Sequence, residues 1–345
     1  MIKGITLWRY RIPLVSPLQL KSPNLNLKPL THREGIVLQW HHSRGVTWSE
    51  VSPLPGFSKE TLDESESQLN QFLESDIFQL RRACDLQSIN PLINDKLYPS
   101  VRFGLEMGLM ELTQFNPQKN IKNLNIAGLI TGEFLDIERY SDYPVIKVKV
   151  GRKNLKEDIN NINNILQHIN TNQLLRLDSN QSWTFKQAKQ FFSEVSTKQI
   201  AFIEEPLKSN PAELENYKYW SQVINTPFAF DEQIQNPKFE LTPIQGLSTL
   251  VIKPMLTGLK RALEIADQAK HLGINIVISS SYESSLSLNF LYRLSTRIPN
   301  ALPPGLDTFS QLKFDLIEPL ALPCKYQKRP IFLVDNLIKV NYHGS

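Results

Sequence analysis

The sequence predicts an α/β protein in which a barrel of alternating strands and helices follows a smaller α+β domain. Three observations predict it. From about residue 120 onward, short apolar runs end near residues 131, 150, 178, 204, 231, 253, 279 and 305, and most gaps between them hold amphipathic helical patterns. Before residue 120, strand patterns come first and helical patterns second, the order of an α+β unit of roughly 115 residues. Five ionisable residues also end successive runs: Lys149 closes VIKVK, Asp178 LLRLD, Glu204 AFIE, Asp231 FAFD and Lys253 TLVIK. Their spacings (149→178 = 29, 178→204 = 26, 204→231 = 27, 231→253 = 22) each fit one strand, one helix and two loops.

The elements follow in order. Residues 1–57 carry the strand patterns ITLWRYRIPL, EGIVLQWHH and VTWSEVSPL, with SRG at 43–45 as a hairpin turn between the last two. Segment 14–31, with Pro17, Pro23 and Pro29 and no periodicity, reads equally as a surface connection or a lid. Pro53, Pro55 and Gly56 stop the sheet. Ser58 is expected to cap a helix over 59–84 whose first turns hold Glu60, Asp63 and Glu64, acids that complement the helix dipole. A second helix, over 99–115, aligns Val101, Leu105, Leu109 and Leu112 in one stripe. Barrel helices are expected over 154–169, 184–196, 258–271 and 283–297, whereas 132–144 is too irregular to assign. Eight such units in about 200 residues suit a (β/α)8 barrel better than an open sheet. After residue 306 the chain reverts to loops and a strand-like IFLV that would return to the first domain.

Bulk properties narrow the class. A chain of 345 residues exceeds the size at which single cores stop growing, in keeping with one barrel plus a smaller domain. Its 41% hydrophobic and 21% charged residues are ordinary for a soluble globular protein. The net charge of +4 comes from 38 basic and 34 acidic residues with no long Lys/Arg block, which argues against a nucleic-acid partner. Cys84 and Cys324 are far apart and lack CxxC spacing, as expected of a reduced, cytoplasmic protein. MIKGITLWRY lacks the order of a signal peptide, and no apolar run approaches the ~18 residues of a membrane helix.

The strand ends carry the chemistry. Residues two apart on a strand share a face, so Lys147 and Lys149 point the same way, as do Arg176 and Asp178. Two lysines inside a barrel are costly unless anions meet them, and Asp178, Glu204 and Asp231 supply those anions. Three oxygen ligands suit a hard cation, and Mg²⁺ is the natural candidate. Zinc is disfavoured, because His41 and His42 lie on alternate faces and the other four histidines are scattered. Taken singly, Asp178 or Asp231 reads as readily as a helix N-cap, Lys253 as a solvated rim residue, and Glu204-Glu205-Pro206 as a loop with a structural ion pair. The order and spacing of all five at the barrel face where active sites lie point instead to proton abstraction from a carbon acid. Such a site needs a cation to stabilise the developing enediolate and a lysine whose pKa falls from ~10.4 through neighbouring positive charge. A lysine or histidine base working beside bound Mg²⁺ is an established solution to this chemistry.

These residues resemble the enolase superfamily, in its muconate-lactonizing subgroup. The marks are KVK (147–149), IEEP (203–206), FDE (230–232) and VIKP (251–254). A closer resemblance is to the o-succinylbenzoate synthase family in its γ-proteobacterial form. It rests on WSEVSPLPGFSKET (48–61), SVRFGLEMGLMEL (100–112), KVKVG (147–151), LRLDSNQSWT (175–184), FIEEPLK (202–208), VIKPMLTG (251–258), ISSSYESSLSL (278–288) and PPGLDT (303–308). The resemblance implies an N-terminal α+β capping domain and a modified TIM barrel of (β/α)7β form, divided as 1–118, 119–325 and a returning segment 326–345. It implies dehydration of 2-succinyl-6-hydroxy-2,4-cyclohexadiene-1-carboxylate to 2-succinylbenzoate in menaquinone biosynthesis, with one Mg²⁺ on Asp178, Glu204 and Asp231. Lys149 would be the acid/base and Lys253 a cation across the ring. Lys147, Arg176 and Asn180 would line the anion side, and Ser279 to Ser281 would contact a substrate carboxylate; alone, those serines read as a polar turn. SPLPGF (52–57) resembles the loop that closes the pocket, and Glu50 beside it reads as a structural acid. The resemblance also suggests a monomer. Gln233 departs from the pattern, where a small residue is expected, and 120–144 matches little. The alternative for the same site is an N-acylamino acid racemase or dipeptide epimerase, which also needs a lysine on each face of the α-carbon.

Overall fold

The computed structural model describes residues 2–19, 28–82, 92–113, 125–130, 138–320 and 337–344. Cys84, Cys324, the IFLV segment, the tip of 14–31 and the expected boundaries at 118/119 and 325/326 lie outside them. The first domain is a four-stranded antiparallel sheet. β1 (Ile2–Leu18) pairs with β2 (Leu30–His42), β2 pairs with β3 (Gly45–Val51), and a strand from the other end of the chain, Ile338–Gly344, pairs with the free edge of β1. His42 faces Gly45 across a two-residue turn, Ser43–Arg44, and Gly45 takes φ +132°, a conformation L side chains rarely adopt. Strand alternation divides the sheet's two faces. Ile5, Leu7, Ile36, Leu38 and Trp40 join the core of the first domain, whereas Tyr10, Ile12, Leu14 and Val37 join that of the barrel.

Helix α1 (Leu62–Arg82) begins later than Ser58 would have set it. The Ser58 hydroxyl accepts from the Leu54 N–H at 2.9 Å, which removes it as a cap. Thr61 caps instead: its Oγ1 accepts from Glu64 N at 3.2 Å and its own N–H donates to Glu64 Oε2 at 2.7 Å, a reciprocal box. Glu60 lies outside α1 and serves helix α2 (Pro99–Thr113), accepting from the N–H and hydroxyl of Ser100 at 3.0 and 2.5 Å.

Helix α2 is the wall shared by the two domains. Gly104 and Gly108 lie one turn apart against Val51 and Trp40, and a Cβ at either position would overlap those side chains. Glycine inside a helix costs ~1 kcal/mol relative to alanine, which the close approach to the sheet offsets. From another face of α2, Phe103 and Met107 enter the barrel core, where the Phe103 ring meets Phe290 edge-on at 5.9 Å.

The barrel strands are β4 (Ala127–Ile130), β5 (Val145–Lys149), β6 (Leu174–Asp178), β7 (Ile200–Glu204), β8 (Phe228–Phe230), β9 (Leu247–Ile252) and β10 (Asn275–Ile278), parallel and adjacent in chain order; the strand on the β1 edge is β11. Residues 301–305 form the eighth stave without regular pairing. They bridge to β10 at Ile276↔Ala301 and Ser279↔Gly305. On the other side Ala127 N donates to Pro304 O and Leu129 N to the Asp307 carboxylate, both at 2.9 Å. The ring is therefore the expected (β/α)7β form, with a 3-10 turn (Asp307–Gln311) where an eighth helix would stand.

The outer layer comprises α3 (Leu155–His168), α4 (Phe185–Glu194), the short α5 (Pro211–Glu215) and α6 (Trp220–Val223), then α7 (Pro254–Thr257), α8 (Leu259–His271) and α9 (Ser285–Ser295). The β8–β9 connection carries only a 3-10 turn, Glu232–Gln235. Phe202, Ala229, Val251 and Val277 fill the barrel interior. No helix among the described residues is long and apolar enough to cross a membrane.

The domains are also joined by Glu106 of α2, whose carboxylate accepts from Leu259 N at 2.7 Å and Lys260 N at 3.2 Å. Burial pushes the Glu106 carboxyl up to about 7, against the pull of those two N–H groups. A carboxyl whose folded pKa lies above its unfolded value contributes stability at low pH that is lost as pH rises. The stability difference between wild type and Glu106→Gln, from urea unfolding, should therefore shift against wild type between pH ~4.5 and ~7. A pH-independent difference would remove Glu106 as the titrating group.

Candidate active site

The side chains that end the barrel strands meet at one mouth. Strand register sets Lys149 beside Asp178 and Asp178 beside Glu204, while Asp231 and Lys253 directly follow β8 and β9. Carboxylate oxygens of Asp178, Glu204 and Asp231 lie within 4.8 Å of one another, and each of these side chains is only 1% exposed. Lys147 Nζ stands 2.7 Å from Asp178 Oδ2 and also bonds Glu204. Lys149 Nζ donates to Asp178 Oδ2 at 2.5 Å and to Asn180 Oδ1 at 2.6 Å. Lys253 bonds Asp231 from the opposite side.

These contacts set the protonation states. Burial alone would raise the Asp178 pKa, but Lys147 and Lys149 outweigh it and hold the carboxylate well below its usual range. Burial raises Glu204, with Lys147 only partly opposing. Among the lysines, burial disfavours every ammonium, with different outcomes. Asp178, Glu204 and Asp231 together lift Lys147 well above its usual value, and Asp231 lifts Lys253. Lys149 is lowered, because burial and the neighbouring Lys147 outweigh Asp178.

The donor set fits a hard cation. It offers carboxylate oxygens from three adjacent strand ends, and Asp231 Oδ1 is buried with no hydrogen-bond partner. Glu205 braces this set from behind. Its Oε1 accepts from Asp231 N at 2.9 Å and Gln233 N at 3.0 Å, and its Oε2 from Gln233 Nε2 at 3.2 Å. Gln233, the departure from the family pattern, thus binds the bracing carboxylate. Burial, opposed by those N–H groups, leaves Glu205 at about 7. Among the described residues, the non-glycine positions at positive φ are Asn180 (45°), Gln181 (57°), Glu205 (39°) and Tyr282 (64°), all in loops at this mouth. Strained backbone of this kind persists where surrounding contacts over-determine it.

The pocket opens between Lys149 and Lys253, with Lys147, Asn180 and Ser279 to Ser281 also in its lining. Leu18, Leu54 and Phe57 from the first domain cover it, which places SPLPGF at the pocket and the described start of 14–31 beside it. Ser279 and Ser280 hydroxyls approach Gly305 O at 3.3 and 3.2 Å, while Ser281 Oγ is buried without a partner. Asn180 bridges, accepting from Lys149 and donating to Glu232 Oε1 at 2.8 Å. Arg176 points into the barrel but lies beneath the pocket and is not part of its lining. Its guanidinium packs over Phe202 at 5.3 Å and donates to Pro303 O at 2.7 Å, and burial lowers it to about 10. Sequence reasoning passed over Glu205, Glu232, Arg152 and Asp307. The doubled acids of EEP and DE were the available signal for the first two, whereas Arg152 enters the pocket wall from a loop and Asp307 from the start of a 3-10 turn, neither of which carries a periodic pattern.

A barrel of this form with three carboxylates between lysines defines an enolase-type enzyme, and comparison with known proteins agrees. Residues 135–323 match the family described as Enolase C-terminal domain-like, and residues 2–112 match the MenC N-terminal domain. The o-succinylbenzoate synthase of Haemophilus influenzae is 34% identical over 323 residues, 91% of this chain and 92% of that protein. The chain therefore belongs to the o-succinylbenzoate synthase family of the enolase superfamily. Two solved structures share the fold. The L-Ala-D/L-Glu epimerase of Bacillus subtilis superposes with a TM-score of 0.74 at 21% identity, covering 91% of this chain and 92% of that one. The o-succinylbenzoate synthase of Thermosynechococcus elongatus BP-1, with Mg in its active site, gives 0.66 at 20% identity, covering 96% and 97%.

The brace makes a separate expectation. Glu205→Ala should cost roughly 2–4 kcal/mol in urea unfolding, because two N–H groups in the β8 loop lose their acceptor. A loss below about 0.5 kcal/mol would show that water replaces the carboxylate.

Proposed function

We propose that the protein dehydrates 2-succinyl-6-hydroxy-2,4-cyclohexadiene-1-carboxylate to 2-succinylbenzoate, with Asp178, Glu204 and Asp231 holding Mg²⁺. The observation that carries the reading is geometric: Lys149 and Lys253 line the pocket from β5 and from the end of β9, on opposite sides of the barrel, beside three carboxylates placed to hold one cation. Lys149 has its ammonium form disfavoured and Lys253 has it favoured. A base must be neutral before it takes a proton, whereas an electrostatic partner must stay charged. Mg²⁺ on the three carboxylates supplies a Lewis acid beside a substrate carboxylate, which makes the adjacent C–H acidic enough for an amine.

Lys149 then takes the α-proton, and the ammonium so formed gives a proton to the departing hydroxyl on the same face. Water leaves and the ring becomes aromatic. Lys253, held by Asp231, keeps positive charge on the opposite face of the reacting carbon throughout. Asn180 steadies Lys149 through its Oδ1, and Glu232 steadies Asn180. Ser281, with an unpartnered hydroxyl in the pocket wall, and its neighbours Ser279 and Ser280 hold a substrate carboxylate. Lys147 balances the charge of Asp178 and Glu204. The same reading takes the enzyme to act as a monomer in the cytoplasm, with one Mg²⁺ per chain. Racemisation of N-acylamino acids would use the same lysines, but the 34% identity to a named synthase over 91% of the chain favours dehydration.

Incubation with the cyclohexadiene substrate and Mg²⁺ should give an aromatic product seen in the ultraviolet, abolished by chelation. No such product alongside strong racemisation of N-succinyl amino acids would sink the assignment. Lys149→Ala should lower kcat by at least about 10³-fold, and retained turnover would refute Lys149 as the base. Asp178→Asn, Glu204→Gln and Asp231→Asn should each weaken Mg²⁺ binding by about tenfold or more in calorimetry. A variant that binds as wild type removes its residue from the ligand set.

A further inference from the structure

The barrel helices differ in what caps them. Asn154 caps α3 by accepting from Glu157 N, Thr184 caps α4 through Gln187 N, and Asn210 caps α5 through Glu213 N. Each cap is local. Helix α8 starts at Gly258 (φ +83°), which has no side chain to offer, and its first N–H groups are met by Glu106 from the N-terminal domain. At α9 the Ser284 hydroxyl reaches Leu286 N only at 3.3 Å. Asp315 accepts from Ser285 N at 2.8 Å and Ser285 Oγ at 2.6 Å, and Glu50, in β3, takes the groups on either side: it accepts from Ser284 N at 3.1 Å, Ser284 Oγ at 2.7 Å and Ser287 N at 3.2 Å, and from the Tyr10 hydroxyl at 2.5 Å. Glu50 is fully buried and Glu106 is 2% exposed. The two helices capped from the other domain follow the two strand ends that carry Lys253 and Ser279 to Ser281.

A second contact reinforces the clamp on the serine loop. Arg33 of β2 is buried and donates Nε–H to Tyr282 O at 2.9 Å, while its other N–H groups bond Ser52 O at 2.9 Å and Pro53 O at 3.0 Å. The chain between Ser281 and Ser285 is thus fixed by the N-terminal domain at the carbonyl of Tyr282 and at the N–H of Ser284. Tyr282 holds a positive φ between these ties. Carboxylates on helix N–H groups form charge-assisted bonds that fix both the start and the direction of the helix.

We propose that Glu50 and Glu106 are positioning residues, through which the N-terminal domain sets where Ser279 to Ser281 and Lys253 stand in the pocket. The inference rests on the functional reading above for what those groups do, and its geometry is independent of it. The serines hold substrate in ground and transition state alike, so displacing them acts on KM. Lys253 meets charge that develops during the reaction, so displacing it acts on kcat.

The test compares Glu50→Gln and Glu106→Gln at a temperature where circular dichroism shows both fully folded. Glu50→Gln should raise KM about tenfold with kcat within about threefold, and Glu106→Gln should lower kcat about tenfold with KM little changed. Mg²⁺ affinity should stay at the wild-type value in both, since neither carboxylate touches the strand ends on β6 to β8. Amide exchange should quicken over 279–288 in the first variant and over 253–262 in the second. If Glu50→Gln does not fold, Ser284→Ala, which removes one donor to the same carboxylate, should shift KM the same way. Wild-type kinetics and exchange in both folded variants, or equal effects on kcat and KM in both, would overturn the proposal. If the wild type shows no dehydration, the functional reading falls, and the exchange pattern alone then decides the positioning.

Discussion

Everything at the barrel mouth depends on one balance of charge. Three carboxylates, each almost wholly buried, share a space a few ångströms across with three lysines. Burying a single unpaired carboxylate costs several kcal/mol even after the protein relaxes. The cluster is therefore stable only as a set, and its members constrain one another. Lys147 contacts Asp178 and Glu204 together, and this leaves Lys149 with Asp178 as its one anionic partner. Lys253 likewise bonds one carboxylate, but Glu232 adds a second negative charge near it, whereas Lys149 meets both other lysines, and of the three it alone has its ammonium disfavoured.

That balance needs fixed backbone, and the loops after β6, β7 and β10 carry the strain. Asn180, Gln181 and Glu205 turn through positive φ so that Lys149 meets Asn180 and Asp231 N meets Glu205. Asparagine tolerates this conformation readily, whereas glutamate and tyrosine adopt it only when held. Glu205 is held by the N–H groups it accepts from, and Tyr282 by Arg33. Glu205 and Arg33, neither of which lines the pocket, thus hold the loops at its mouth.

Much of this was legible in the sequence because barrel strands have a simple grammar. A period of two fixes which side chains point inward, so Lys147, Lys149, Arg176 and Asp178 were assignable to the interior from VIKVK and LLRLD alone. Depth was not assignable. Arg176 faces inward as expected, yet it stands level with Lys147 and one inward position below Lys149, where Phe202 offers a ring face and Pro303 a carbonyl. Ser58 and Thr61 are equally good caps by residue type, and the choice fell to a hydrogen bond from Leu54 that only the folded turn creates. Glu60, Glu50 and Glu106 each serve a helix they do not belong to, with partners 40, 234 and 153 residues away in the chain. No local pattern encodes such a partner. The eighth run, expected to end near 305, is in place but is not a regular strand: Pro303 and Pro304 cannot donate to a ladder, so residues 301–305 complete the ring through isolated bridges.

The glycine pair on α2 has a mechanical consequence. With Gly104 and Gly108 seated against Val51 and Trp40, and Phe103 and Met107 in the barrel core, this helix has no slack on either side. A hinge between the domains would have to drag a close-packed helix through two cores at once, and close-packed interiors do not deform smoothly. The packing of α2 thus resists hinging between the domains, and the parts of the first domain that border the pocket are short segments such as the turn bearing Leu54 and Phe57.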